Sequence, residues 1–381
     1  MHIANHPTIT TNKGLRPTYV EVDLARLTHN FFAIQAQVGD VQVMPILKAN
    51  AYGHGLIEVA RHMAGLDVKQ LGVAYLEEAL LLREAGIQLP ILVLGGILGS
   101  QVPTFLDHDL ILTASSIEKL KQIDDAAGAR SKRARVHLKI DTGMERIGVH
   151  YYSAENLLKE SLRYRNVEIE GIFSHFANAD AADLSSARLQ LERFEEVLDF
   201  YTRRSLPVPK RHMANSGAIL QLPQSYLDVV RPGILLFGVY PSHEVQPTIP
   251  VQPALSWKST VVYFKVVKPG HPVSYGSTWK SDHNVRVVTI PVGYGDGYFR
   301  SMSNKADVIL GGKRYPVVGR VCMDQLMVNI EWDSAYNGDE VVLVGEMDGE
   351  RITVEDLAAW AGTIPYEILT NINTRVPRVY I

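Results

Sequence analysis

From about residue 41, short apolar runs rich in β-branched residues alternate with longer stretches whose apolar positions recur every three or four residues. The runs fall at 41–48, 71–75, 91–94, 110–114, 135–140, 168–174, 210–213 and 228–230. Helical patterning fills the gaps at 57–64, 76–85, 116–127, 154–162 and 184–203. In the last of these, Leu189, Phe194, Val197, Leu198 and Tyr201 are expected to share one face. Eight strand–helix alternations over roughly 200 residues predict an α/β architecture, the (β/α)8 or TIM barrel.

The pattern changes near residue 241. Pro241, Pro247, Pro250 and Pro253 crowd a short stretch that reads as a linker. Beyond it, strands are predicted at 259–267, 285–291, 308–310, 317–321, 326–330 and 340–344. Turns at Gly311-Gly312, Asn337-Gly338 and Asp348-Gly349 separate several of them. A late helix is expected over 354–361. The prediction is a barrel over 14–245 and a smaller, mostly β domain over 246–381, with an early strand at 18–22 joining the second domain.

Composition narrows the function. A net charge of −3 over 381 residues gives no long-range attraction to nucleic acid or to an anionic membrane, so a small-molecule partner is expected. Cys322 is the single cysteine, which excludes an intrachain disulfide and fits a reducing compartment. Residues 1–14 are polar and lack a signal-peptide core, and no apolar run is long enough to span a membrane. A cytoplasmic protein is expected. The remaining histidines, among them His54, His137 and His212, show no metal-ligand spacing, so no metal is expected.

In such barrels, chemistry gathers at the carboxyl ends of the strands. Lys48 ends the first predicted strand, Lys139 and Asp141 the fifth, and His175 the sixth. Asn215 and Ser216 follow the seventh, and Arg231 ends the eighth. A lysine closing the apolar run 43–47 is partly desolvated, which lowers its pKa and suits it to forming an imine with an aldehyde. A lysine that merely snorkels to the barrel rim is the plainer alternative. Ser216-Gly217 and Pro232-Gly233-Ile234 lie where barrels bind phosphate, although Ser216 by itself could be an ordinary helix cap. Pyridoxal phosphate requires both an amine and an anion site.

The motifs then resemble one family. K-A-N-A-Y-G-H-G at 48–55 is similar to the pyridoxal-phosphate attachment motif of alanine racemases. In the same order follow L-K-I-D-T-G-M-E-R-I-G (138–148), G-I-F-S-H-F-A-N-A-D (171–180), A-N-S-G-A (214–218) and V-R-P-G-I (230–234). The second domain adds V-S-Y-G-S-T-W (273–279), I-P-V-G-Y-G-D-G (290–297), G-R-V-C-M-D-Q (319–325) and G-T-I-P-Y-E-I-L (362–369).

This resemblance implies that Lys48 holds the cofactor and acts as one proton-transfer base. Tyr275, supplied by the partner of a homodimer, is the opposing base. Tyr52, Ser216, Gly233, Ile234 and Tyr366 hold the phosphate, with Asn215 beside Ser216. Arg231 faces the pyridine nitrogen, and His175 links Arg231 toward Tyr275. Arg146 contacts the cofactor's phenolic oxygen and the substrate carboxylate, which the Met323 N–H also binds. Tyr294 and Asp324 belong to the substrate entrance. Lys139 aligns with a lysine carbamylated in many members, and Glu145 stands where many have glycine. The implied activity is interconversion of L- and D-alanine, supplying D-alanine for bacterial peptidoglycan. Serine or another small amino acid is an alternative substrate.

The chemistry is consistent with these residues. Racemisation with a base on each face avoids moving one base across the substrate plane. Lysine and tyrosine titrate near pH 10, roughly, so both require tuning downward. An arginine at the pyridine nitrogen has no proton to give, which weakens the ring as an electron sink and restrains side reactions. Decarboxylases of the same barrel class carry a glutamate where this chain has Arg231, together with a reactive cysteine. Cys322 lies instead in a racemase-like motif and reads as a small packed side chain. A non-enzymatic pyridoxal-phosphate carrier would lack the domain that supplies Tyr275.

Overall fold

The computed structural model describes residues 15–381, so the polar stretch 1–14 lies outside the described residues. Two compact units emerge. One comprises residues 27–252; the other comprises 253–381 together with 15–26.

The first unit is a closed parallel barrel. Its strands are Gln42–Val43, Leu71–Val73, Ile91–Val93, Leu112–Ala114, Ala134–Asp141, Val167–Phe173, Lys210–His212 and Val229–Val230. Adjacent strands pair in parallel, and Val229–Val230 returns to Gln42–Val43. Single bridges, Ile46 to Gly72 and Leu92 to Ile111, complete the ring. The strands read as apolar runs because both faces are covered: Met44, Leu92, Leu112, Leu138 and Ile172 are all buried. The first run is shorter than its composition suggests, because Pro45 has no N–H for the ladder.

Helices follow the strands, among them Leu56–Ala64, Leu76–Glu84, Ile117–Gly128, Ala154–Ser161 and Ser185–Arg203. The last buries Leu191, Phe194, Val197, Leu198 and Tyr201, whereas Leu189, expected on that face, is exposed. Five residues from Phe194 turn Leu189 about 140° around the axis, and Leu191 takes its place. The barrel unit runs on to residue 252 rather than 245 because Asn30 holds its end. Asn30 Nδ2 donates to the carbonyls of Leu236 and Gln252, and Asn30 Oδ1 accepts from Gln252 N–H. The unit also begins at Leu27, not at residue 14.

In the second unit, Tyr19–Val22 lies antiparallel to Leu255–Thr260 and parallel to Arg378–Tyr380 within a seven-stranded sheet. Tyr263–Val267, Val285–Ile290 and Leu326–Asn329 form a second sheet. The single strand expected over 259–267 is therefore two, each in its own sheet. The strand expected at 317–321 lies at Lys313–Pro316 instead. The Gly311-Gly312 turn, both residues at positive φ, starts pairing at once, and Pro316 ends it. Val354–Ala361 is helical, capped by Thr353 and ended by Gly362 at φ 77. A further helix, Pro365–Asn371, was not anticipated and carries Tyr366. No helix is long and apolar enough to cross a membrane among the described residues.

Candidate active site

Lys48 follows the first strand and opens an unusual turn. Ala49, Asn50, Ala51 and Tyr52 all have φ between 51 and 56°, a run of left-handed residues without glycine. Such backbone costs roughly 1–2 kcal/mol per residue and persists only where its surroundings hold it. Part of that hold comes from Glu78, a residue that motif reading passes over. Its Oε1 accepts from Ala49 N–H at 2.6 Å, and its Oε2 from the N–H groups of Ala74 at 2.8 Å and Tyr75 at 3.2 Å. Burial lowers the Lys48 pKa; Arg146 and Arg231 push the same way, and Glu78 opposes them.

The turn brings the buried Tyr52 against Gly233. A Cβ on Gly233 would lie 2.2 Å from the Tyr52 phenol oxygen, so only glycine fits there. Ser216 Oγ accepts from Gly233 N–H at 3.0 Å and Leu235 N–H at 3.3 Å. Asn215 acts as a cap, accepting from Ala218 N–H at 3.0 Å, and so faces the backbone of the helix Ser216–Gln221. The Tyr52 phenol, from the turn after the first strand, thus meets the Ser216 hydroxyl and the N–H groups of Gly233 and Leu235 at the ends of the seventh and eighth strands. This donor set suits a phosphate.

Arg231 is buried at the end of the eighth strand. Its Nη1 donates to His212 Nδ1 at 2.9 Å. Its Nη2 reaches Ser174 O at 2.8 Å, Met213 O at 3.1 Å and His175 Nδ1 at 3.1 Å. The expected Arg231–His175 link is therefore present. His212 passes the chain on to His137, 2.8 Å away. In the sequence these two histidines show only a lack of metal-ligand spacing; both lie in strands that flank the strand of the motif 171–180.

Lys139 is buried with its Nζ 3.3 Å from Ile140 O and 4.9 Å from the centre of the Phe173 ring. Burial drives its pKa well below the usual lysine range, and Arg231 adds to the effect while Asp141 opposes it. Burial would raise the Asp141 carboxyl, but N–H groups of Gly143, Met144 and Glu145 hold it below its ordinary value. Arg146 N–H joins them at 3.2 Å, so Asp141 organises the loop that presents the exposed Arg146.

In the second unit, Tyr275 is 71% exposed in the turn between the paired strands Pro272–Val273 and Trp279–Lys280. Both flanks are tied. Ser274 Oγ donates to Arg320 O at 2.6 Å, and Asn304 Nδ2 donates to Thr278 Oγ1 at 3.1 Å. Cys322 Sγ sits 3.4 Å from Ser274 Oγ beneath this turn. Met323, Asp324 and Tyr294 lie together: Cys322 O accepts from Tyr294 N–H at 3.0 Å, and Met323 O from Gly295 N–H at 2.9 Å. Tyr366 sits half-buried on its own helix.

A family model described as alanine racemase, N-terminal domain, matches residues 22–241, and one described as alanine racemase, C-terminal domain, matches residues 254–380. Alanine racemase 2 of Caldanaerobacter subterraneus subsp. tengcongensis is 44% identical over 370 residues, covering 96% of this chain and 95% of that protein. The alanine racemase of Carboxydothermus hydrogenoformans is 44% identical over 369 residues, covering 96% and 100%. Among solved structures, the alanine racemase of Clostridium difficile 630 superposes with a TM-score of 0.91 at 36% identity, covering 96% of each chain. The chain belongs to the alanine racemase family.

Proposed function

We propose that this chain is an alanine racemase that interconverts L- and D-alanine with pyridoxal phosphate as its cofactor. The observation that carries the reading is the barrel mouth. There an amine of lowered pKa follows the first strand, and a phenol–hydroxyl–amide cradle, kept open by Gly233, closes the last two. Tyr52, Ser216, Gly233, Ile234 and Tyr366 would hold the phosphate, and Arg231 the pyridine nitrogen. When bound, the cofactor supplies an electron-withdrawing ring that acidifies the substrate's α-C–H bond.

The chain's own groups then handle binding and proton movement. Lys48 Nζ would anchor the cofactor and would take or return the α-proton on one face. Tyr275 Oη, contributed by a second copy of the chain, serves the other face; its high exposure is in keeping with a role outside its own subunit. Arg146 and the Met323 N–H bind the substrate carboxylate, and Tyr294 and Asp324 form part of the entrance. Arg231, tied to two histidines and two carbonyls, offers the ring nitrogen hydrogen bonds but no transferable proton.

Lys139 is the candidate for carbamylation. Its amine, driven toward the neutral form by burial, can add to carbon dioxide, forming an N–C bond and releasing a proton; the resulting anion would pair with Arg146. A cytoplasmic homodimer that supplies D-alanine to peptidoglycan completes the reading.

Borohydride reduction of the cofactor-loaded protein tests the anchor: a cofactor adduct is expected on the peptide containing Lys48, and an adduct elsewhere contradicts it. Tyr275→Phe should keep the cofactor and lose at least about a hundredfold in turnover, the scale of a general acid–base contribution.

A further inference from the structure

The loop carrying Met323 is exposed, and Met323 itself is 53% so. Little side-chain packing holds such a loop, so its conformation depends on hydrogen bonds. These converge on one buried carboxylate. Asp296 Oδ2 and Oδ1 accept from Arg16 Nη1 and Nη2, each at 2.8 Å. Oδ1 also accepts from Arg375 Nε at 2.7 Å, and Oδ2 from Gly293 N–H at 3.0 Å. Arg375 then reaches outward: its Nη2 donates to Asp324 Oδ1 at 2.8 Å and to Met323 O at 3.3 Å.

The opposite peptide edges follow from planarity. Cys322 O is held by Tyr294 N–H, and in a trans peptide the Met323 N–H must point the other way. Met323 O is held by Gly295 N–H and by Arg375, which turns the Asp324 N–H away from the 293–297 segment by the same rule. Gly293 and Gly295 permit this contact. A Cβ on Gly293 would lie 2.3 Å from Cys322 O, and one on Gly295 would lie 2.7 Å from Arg375 Nη2.

We propose that Arg375, seated on the buried Asp296 beside Arg16, is a positioning residue for substrate-carboxylate binding. It fixes the Met323 and Asp324 peptides so that their N–H groups face outward as anion donors. The inference rests on the reading of Met323 N–H as a substrate contact.

The test uses the cofactor-loaded enzyme and reads alanine KM, kcat and the inhibition constant of propionate, a carboxylate without an amine. In Arg375→Lys the amine can stay on Asp296 but cannot fork to Met323 and Asp324. KM and the propionate constant are expected to rise together by about tenfold, with kcat changed less than about threefold and cofactor content unaltered. Arg375→Gln serves the same purpose if the lysine variant does not accumulate. A fall in thermal midpoint with KM and the propionate constant unchanged would show a purely structural role and overturn the proposal. Met323→Pro removes the donor itself. If that change weakens propionate and the Arg375 variants do not, only the positioning role fails; if neither does, the Met323 reading fails with it.

Discussion

Arg231 donates from Nη1 to Nδ1 of His212 at 2.9 Å, and this fixes where His212 carries its proton. A guanidinium is only a donor, so Nδ1 must accept and the His212 proton sits on Nε2. Nε2 then donates to His137 Nδ1 at 2.8 Å, which places the His137 proton on its far nitrogen. The chain of neutral rings holds the guanidinium in place without a carboxylate in these contacts. Burial lowers the Arg231 pKa to about 9, still above neutrality, so the guanidinium stays a donor, and these contacts hold no carboxylic acid to protonate a ring nitrogen.

Space for His137 depends on Gly171, where a Cβ would meet the His137 ring at 2.5 Å. Gly171→Ala should therefore cost about 2 kcal/mol in folding free energy by overpacking. It should also lower kcat severalfold through a displaced Arg231. Denaturant unfolding and steady-state kinetics check both; an unchanged midpoint would contradict the account.

The buried histidines predict a pH dependence of stability. Burial and neighbouring cations keep His175 and His212 well below the ordinary histidine range and push His137 to about 3. Below about pH 6.5 the unfolded chain takes up protons that the folded chain refuses, so stability falls as pH drops. His283, raised by Glu331 and Asp282, acts in the opposite sense, but it is exposed and weakly coupled to folding. Asp141, Asp228 and Asp296, all lowered, add their losses only below about pH 4. Thermal midpoints between pH 6.5 and 4.5 should thus decline before the carboxylates titrate. A flat profile over that window would contradict the tautomer chain.

Glu78→Ala removes the acceptor from three N–H groups and frees the left-handed turn after Lys48. A loss of about 2 kcal/mol in stability is expected, together with roughly tenfold faster cofactor release. Dialysis with absorbance monitoring of the retained cofactor measures the second effect. Retention equal to the parent protein would show that the turn holds without Glu78.

Glu145 sits at φ 55, in the left-handed region. Its exposed partner His150, at 2.8 Å, contributes little. Glu145→Gly should relieve the strain and stabilise the chain by up to about 1 kcal/mol after the entropy cost of glycine. A destabilised variant would point to the His150 contact instead.

Much of this was legible in the sequence. Eight apolar runs located the barrel strands to within a few residues, because strands covered on both faces are apolar throughout. Lys48, His175 and Arg231 were readable from their places at strand ends. Other features were not. Glu78 acts on Ala49 from 29 positions away, and Arg16 and Arg375 meet on Asp296 only through the fold. His137 and His212 carry no spacing signal, because contacts across neighbouring strands, not positions along the chain, join them to Arg231. The sheet switch at residues 261–262 escaped because β-branched residues continue through the bend.

The central claim is most directly tested by incubating the purified protein with L-alanine and saturating pyridoxal phosphate and measuring both enantiomers over time, with carbon dioxide monitored alongside. D-alanine should accumulate until the two forms are equal, without carbon dioxide release. No D-alanine from protein that retains the cofactor, or loss of the carboxyl carbon, would contradict it.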